Sequence, residues 1–153
     1  MNVNLEIEKI IKKSQDQRWY VKYEELKIDL EPFASGATSE IFDCLWRGTK
    51  IVIKKLKLKD KISVKDFLNE INIWNSVRHP NIVQFLGISI DENIIYLLLQ
   101  KINGPNLRDF INNKKIIRSN LKIKFMNQLV SIFNFLHNCN PPIIYRDLKA
   151  ENI

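Results

Sequence analysis

The stretch Tyr145-Arg146-Asp147-Leu148-Lys149-Ala150-Glu151-Asn152 decides how the rest of this chain is interpreted. A short apolar run, residues 143–145, leads into it, and Pro141-Pro142 ends the helical periodicity before it, because proline cannot continue a helix. That periodicity predicts a long helix beginning at Ser119 or Asn120 and ending near Asn138. Its apolar positions, at helical spacing, are Leu121, Phe125, Leu129, Ile132 and Leu136. The quoted stretch is therefore a charged loop directly after a long helix.

Upstream of the long helix, the hydrophobic pattern changes to the two-residue period of strands. A turn of small residues, Ala34 to Ser39, separates the first two predicted strands, and Asp91-Glu92 joins the last two. Asn106 is the expected cap of a short helix. Residues 1–18 look like a helical or loosely ordered leader. The predicted strands are 28–35, 40–46, 50–58, 82–90 and 93–99, and the predicted helices, besides the long one, are 64–77 and 107–113.

The third predicted strand carries one residue that does not fit its surroundings. Alternation places Val52, Lys54, Leu56 and Leu58 on one face, so Lys54 is a lysine on an otherwise apolar face. The lysines at 55, 57 and 59 fall on the other face and follow a solvated pattern. Lys54 is therefore the candidate functional lysine of this strand.

The predicted helix 64–77 carries a carboxylate that likewise does not fit its apolar surroundings. Its apolar stripe is Val64, Phe67, Leu68, Ile71, Trp74 and Val77, and Ser63 is its expected N-cap. Glu70 falls inside the edge of this stripe, where a carboxylate needs a partner. The alternative is an ordinary acid on the helix surface.

The loop at 145–152 resembles the catalytic loop of eukaryotic protein kinases, which reads H/Y-R-D-L-K-x-x-N. The resemblance implies that Asp147 is catalytic, accepting or orienting the proton of a substrate hydroxyl. It implies that Lys149 lies near the transferring phosphate, as in Ser/Thr-specific members. Asn152 would supply an amide oxygen to Mg²⁺.

Two further residues match the same family. Ile51-Val52-Ile53-Lys54 is similar to its V-A-I-K motif, which implies that Lys54 binds the α- and β-phosphates of ATP. Glu70, sixteen residues further on, matches the helix glutamate that holds this lysine in an ion pair. The family uses that ion pair to mark the active arrangement.

The remaining nucleotide-binding residues are also implied by the resemblance. The phosphate loop G-x-G-x-x-G-x-V corresponds to residues 34–41, where Gly36 is the one glycine that remains, and this loss weakens the expected nucleotide binding. Leu99 falls at the gatekeeper position, and Gln100 to Ile102 fall where backbone groups meet adenine. The implied nucleotide-binding set is Phe33, Ala34, Ser35, Gly36, Ala37, Thr38, Ser39, Glu40, Ile41, Lys54, Glu70, Leu99, Gln100 and Ile102.

The predicted fold class is α+β: a kinase-like small lobe with a five-stranded antiparallel sheet and one helix, followed by the first helices of an incomplete helical large lobe. The small lobe is expected at about 19–100, the hinge at about 100–105 and the start of the large lobe at 106–153. Residues 19–27 and 45–49 resemble the tyrosine-kinase-like group of Ser/Thr kinases in particular.

Composition and charge exclude several other classes of protein. Apolar residues make up 45% and charged residues 27% of the 153 positions, a globular balance. The net charge of +7 comes from lysines spread among acids, so neither a nucleic-acid nor a membrane partner is expected. Cys44 and Cys139 are far apart and suggest a reduced, cytoplasmic protein. The expected ligands are ATP and Mg²⁺, together with a protein partner or substrate.

The sequence ends at Ile153, whereas the family places its D-F-G metal ligand and activation segment beyond this point. A protein ending here is expected to have very low or no kinase activity. Three interpretations stay open: a truncated, inactive kinase homologue that retains weak ATP binding, a fragment of an active Ser/Thr protein kinase, and a non-catalytic basic binding module.

Overall fold

The computed structural model describes residues 3–35, 39–57, 64–92, 94–113 and 117–153. The chain forms two compact units. Unit 1 consists of Met1–Arg78 and Val83–Lys101, and unit 2 of His79–Ile82 and Ile102–Ile153. Within the described ranges, no helix is long and apolar enough to span a membrane.

Unit 1 is an antiparallel sheet with two helices. Helix α1 is Val3–Asp16 and α2 is Val64–Ser76, and a single 3-10 turn, Tyr23–Glu25, precedes the sheet. The strands are β1 (Leu26–Ile28), β2 (Ala34–Ser35), β3 (Ser39–Trp46), β4 (Thr49–Lys57), β5 (Phe85–Asp91) and β6 (Ile94–Gln100). Their order is β1-β3-β4-β6-β5, with β2 pairing with β3.

Each face of this sheet carries its own apolar cluster. The helix-side cluster joins Ile7 and Ile10 of α1 and Phe67 and Ile71 of α2 to buried residues of β5 and β6. The outer cluster consists of Val21, Phe42, Cys44, Ile51, Ile53, Tyr96 and Leu98. Burial on both faces explains why β5 and β6 read as nearly continuous apolar runs.

The segment after α1 attaches to the edge strand β5. The amide of Ile88 donates to the carbonyl of Trp19, and the amide of Val21 donates to the carbonyl of Ile88, both at 2.8 Å. A Cβ on Gly87 would lie 2.5 Å from the Trp19 carbonyl oxygen, so only glycine allows this approach. Of the two alternatives for residues 1–18, a helix or loose order, the structure has the helix α1, and the segment after α1 covers the edge of the sheet.

The prediction of one strand over 28–35 was wrong. The chain forms β1 and β2 separately, because Pro32 has no amide to donate and Leu30 projects into solvent at 97% exposure. The sheet thus has a sixth, two-residue strand, where five were expected. Strand β5 begins at Phe85, three residues later than expected. The predicted helix cap Ser63 lies outside the described residues.

Unit 2 contains α3 (Leu107–Asn112), α4 (Ser119–His137) and a terminal 3-10 turn, Ala150–Asn152. Asn106 caps α3 as predicted, because its side chain accepts the amide of Asp109 at 2.8 Å. His79 contacts α4: its Nε2 lies 3.2 Å from Ser131 Oγ, and its ring lies 5.2 Å from that of Phe135.

Candidate active site

Lys54 lies on the helix-side face of the sheet. In the register of the strands it stands opposite Ile41 of β3 and opposite Leu97 of β6. Directly opposite residues share a face, so Lys54 is flanked by two apolar side chains. Its side chain is half-buried. The structure therefore agrees with the predicted position of a lysine on an apolar face.

Glu70 is exposed on α2, and no ion pair joins it to Lys54 among the residues that the structure describes. The predicted pairing is therefore absent here, although both side chains are described. Burial at Phe67 and Ile71 fixes the face of α2 that packs on the sheet. Glu70 falls beside that face, at its edge, and points to solvent.

The segment predicted to be the phosphate loop lies partly on two paired antiparallel strands, β2 and β3. Ala34 stands opposite Ile41 and Ser35 opposite Glu40, and the amide of Phe33 donates to the carbonyl of Ile41 at 3.0 Å. Positions 36–38, which include the predicted Gly36, Ala37 and Thr38, lie outside the described residues, as does the side chain of Ser39. Phe33 itself is exposed.

The end of β6 is bound on two sides. The amide of Gln100 donates to the carbonyl of Gln84 at 3.0 Å, and the amide of Gln84 donates to Gln100 Oε1 at 3.3 Å. Lys101 Nζ forms an ion pair with Asp43 Oδ1 at 2.7 Å. Leu99 stands opposite Val52 on the helix-side face. Ile102, an exposed residue, belongs to unit 2.

The loop at 145–152 brings three predicted residues of unit 2 together. Asn152 Nδ2 donates to Asp147 Oδ2 at 2.8 Å and to the Asp147 carbonyl at 3.0 Å. Lys149 Nζ lies 3.1 Å from the same Oδ2. The contact with Lys149, and to a smaller extent the contact with Asn152, lowers the pKa of Asp147 below its ordinary value. The carboxylate is therefore ionised and oriented, while its exposure keeps it accessible.

The backbone of this loop is held in an uncommon conformation. Arg146 has a φ of 64°, the left-handed region that few residues other than glycine adopt. Arg108 Nε of α3 forms an ion pair with Glu151 Oε1 at 2.8 Å, and the Leu107 amide donates to the Ile153 carbonyl at 2.7 Å. Helix α3 thus anchors the far end of the loop.

The oxygen donors of this loop fit one part of the coordination shell of a Mg²⁺ ion. The Asn152 amide nitrogen is used within the loop, which leaves its Oδ1 as a hard oxygen donor. No group of three or more His, Cys, Asp or Glu residues that could hold a metal occurs in the described part of the chain. Mg²⁺ commonly takes one or two protein oxygens and completes its shell with phosphates and water.

Sequence reasoning missed the ion pairs Asp43–Lys101 and Arg108–Glu151. Their partners are 58 and 43 residues apart, and no periodic pattern links them. Only the strand register, once known, would have brought Asp43 near the end of β6.

A curled antiparallel sheet with a lysine on its helix side, and a loop that orients an aspartate with a lysine and an asparagine, define the class of protein kinase folds. The chain matches the Protein kinase domain family over residues 29–153. It belongs to that family.

Relatives and a solved structure agree with this assignment. A probable serine/threonine-protein kinase of Dictyostelium discoideum is 33% identical over 81% of this chain, and the serine/threonine-protein kinase VIK of Arabidopsis thaliana is 31% identical over 77%. The crystal structure of Rad53 1–466 in complex with AMP-PNP is similar in fold, with a TM-score of 0.74 over 85% of this chain at 22% identity. The chain spans 12%, 28% and 34% of these three proteins, respectively.

Proposed function

We propose that this segment binds ATP on unit 1 and carries on unit 2 the loop that prepares a Ser or Thr hydroxyl for phosphorylation. The observation that carries the proposal is the Asp147 carboxylate, held by Lys149 and Asn152 in an accessible loop. An ionised, oriented carboxylate can accept a hydroxyl proton, and Lys149 can neutralise phosphate charge.

The nucleotide side of the proposal is supported by Lys54. A half-buried ammonium among apolar neighbours gains from an anionic partner, and the phosphates of ATP supply one. Ile41, Val52 and Leu99 lie on the same face of the sheet and offer apolar surface to a base. On unit 2, Asn152 Oδ1 would supply one protein oxygen to a Mg²⁺ ion.

The Ser/Thr specificity is supported by Lys149 and by the names of the similar kinases. The resemblance of residues 19–27 and 45–49 favours the tyrosine-kinase-like group. Ser/Thr specificity and group membership are properties of a whole kinase, and this chain is similar to only part of one.

We further propose that a polypeptide of residues 1–153 alone binds ATP weakly and transfers phosphate very slowly. Between residues 34 and 41 the phosphate loop retains one glycine, Gly36. Glu70 does not pair with Lys54 among the described residues, and Asn152 is the one predicted metal ligand. The phosphoryl group would therefore be poorly neutralised.

Calorimetric titration with Mg-ATP tests the nucleotide site. Lys54→Met should weaken binding at least about tenfold, the loss expected for a charge-assisted phosphate contact. The matched control is Lys50→Met, an exposed lysine on the same strand that should leave the affinity unchanged. Equal affinities of the Lys54 variant and the wild type would refute the proposed site.

Phosphate transfer from labelled ATP to a mixed Ser/Thr peptide library tests the rest. The 153-residue chain should show a rate near the uncatalysed one.

A second candidate, a segment of an active Ser/Thr kinase, is favoured by the ordered Asp147 loop. If the transcript continues past Ile153, the extended chain should be active, and Asp147→Asn should lower its rate by about a hundredfold or more. An extended chain that tolerates this substitution would exclude a catalytic role for Asp147.

A further inference from the structure

Asp43 and Lys101 form an ion pair that neither the motifs nor the proposed chemistry uses. Lys101 Nζ lies 2.7 Å from Asp43 Oδ1, and the two side chains are 29% and 35% exposed. Lys101 directly follows the last residue of β6, while Asp43 lies in the middle of β3. Strand β4 lies between β3 and β6, so the lysine side chain reaches past one whole strand.

The strand register places this ion pair beside the apolar surface proposed for the base. Asp43 stands opposite Val52, and Val52 stands opposite Leu99, so all three residues share the helix-side face. Lys101 follows Leu99 by two positions, so its side chain starts on the same face as that of Leu99. The ion pair therefore borders the Val52–Leu99 strip.

The end of β6 is consequently held from both directions. On one side the Gln100 amide donates to the Gln84 carbonyl, and the Gln84 amide donates to the Gln100 side-chain oxygen. On the other side Lys101 is bound to Asp43 of β3. The backbone of Gln100 and Lys101, at the point where the sheet ends, is fixed by two independent side-chain attachments.

We propose that the Asp43–Lys101 ion pair is a positioning element of the nucleotide site, which fixes the Gln100–Lys101 backbone for hydrogen bonding to the edge of an adenine base. This inference rests on the proposed ATP binding. A base edge is recognised by donors and acceptors at fixed spacing, so backbone mobility at this point lowers affinity. The carboxylate also cancels the lysine charge, so the strip meets a neutral base without an unpaired ammonium beside it.

Binding of Mg-AMP-PNP to the 153-residue chain provides the first test. Asp43→Asn and Lys101→Met should each weaken binding about two- to fivefold, the range that a half-exposed ion pair supports. The double variant should be no weaker than either single one, and the charge exchange Asp43→Lys with Lys101→Asp should restore part of the loss. The control is Arg47→Met, which removes another 2.7 Å ion pair of unit 1, to Glu25, and should leave affinity unchanged.

Amide hydrogen exchange without nucleotide provides the second test. Asp43→Asn and Lys101→Met should speed exchange at the Gln100 amide, which donates to the Gln84 carbonyl, whereas Arg47→Met should not. Unchanged exchange at this amide, or an equal affinity loss in the Arg47 control, would overturn the positioning role. If the wild type binds no nucleotide, the proposed function fails, and the exchange data still decide whether the ion pair fixes this backbone.

Discussion

Units 1 and 2 hold their predicted functional residues by different means. Within the described part of the chain, every buried apolar side chain belongs to unit 1 except Leu136 of α4. Helix α4 exposes Ile123, Met126 and Val130 at about 60% each, along one side of the helix. Lys54 is therefore placed by strand packing, whereas Asp147 is placed by hydrogen bonds and ion pairs.

Substitutions in the two units should therefore act over different ranges. Buried apolar area dominates the folding free energy of a small unit, so changes in the clusters of unit 1 should affect the whole unit. Exposed polar contacts contribute little to stability, so changes in the loop of unit 2 should act locally.

The largest effect is expected from Ile53→Ala in the outer cluster. Ile53 is fully buried, and truncation leaves a cavity that costs about 2–5 kcal/mol of unfolding free energy. Urea unfolding followed by tryptophan fluorescence measures this loss, since Trp19, Trp46 and Trp74 all lie in unit 1. The matched change in α4, Val130→Ala, should shift the free energy by no more than about 0.5 kcal/mol. Comparable losses in both variants would contradict the contrast between the units.

The two cysteines provide a second measure of the same contrast. Burial raises the pKa of the Cys44 thiol to about 11, while Cys139 of unit 2 is half-exposed. Since the thiolate is the reactive form, iodoacetamide at pH 8 should modify Cys44 about a hundredfold more slowly than an ordinary thiol. Mass spectrometry of the native protein should therefore find Cys139 labelled first, and both cysteines labelled equally in urea. Early labelling of Cys44 would show that unit 1 opens locally.

Gly87→Ala should destabilise unit 1 by about 1–3 kcal/mol, the usual cost of overpacking. The added methyl group would meet the Trp19 carbonyl at 2.5 Å and would separate the segment after α1 from β5. Gly104→Ala in unit 2 is the control: its φ is also positive, at 146°, but a Cβ there has no atom within 4 Å. A cost in Gly87→Ala no larger than in Gly104→Ala, measured by urea unfolding, would exclude this close approach as a source of stability.

The sequence predicted those features that depend on local patterns. The apolar face around Lys54, the helix stripe with Ile71, and the Asn106 cap all follow from short-range spacing. The family assignment followed from the loop around Asp147, in which several positions are constrained together.

Features that depend on tertiary geometry could not be predicted in this way. The stripe placed Glu70 at its edge, but the edge of a helix can face either a partner or solvent, and here Glu70 faces solvent. The Asp43–Lys101 ion pair depends on the register of three strands. The sequence contains many lysines and no signal that selects this one.

The smallest effect should be found in the titration of Asp147. Lys149 and Asn152 lower the pKa of this carboxyl, because both contact its ionised form. The stabilisation is therefore present above the pKa of an unfolded aspartate and is lost as the pH falls through the lower, folded value. Lys149→Met should move the folded pKa up toward the ordinary range, and carbon-detected NMR of the Asp147 carboxyl measures that shift. Lys122→Met, which changes an exposed lysine of α4, should leave the pKa of Asp147 unchanged.

Because Asp147 is exposed, urea unfolding of unit 1 should be unaffected by either variant. A loss of unit 1 stability in Lys149→Met would mean that the two units do not hold their functional residues independently.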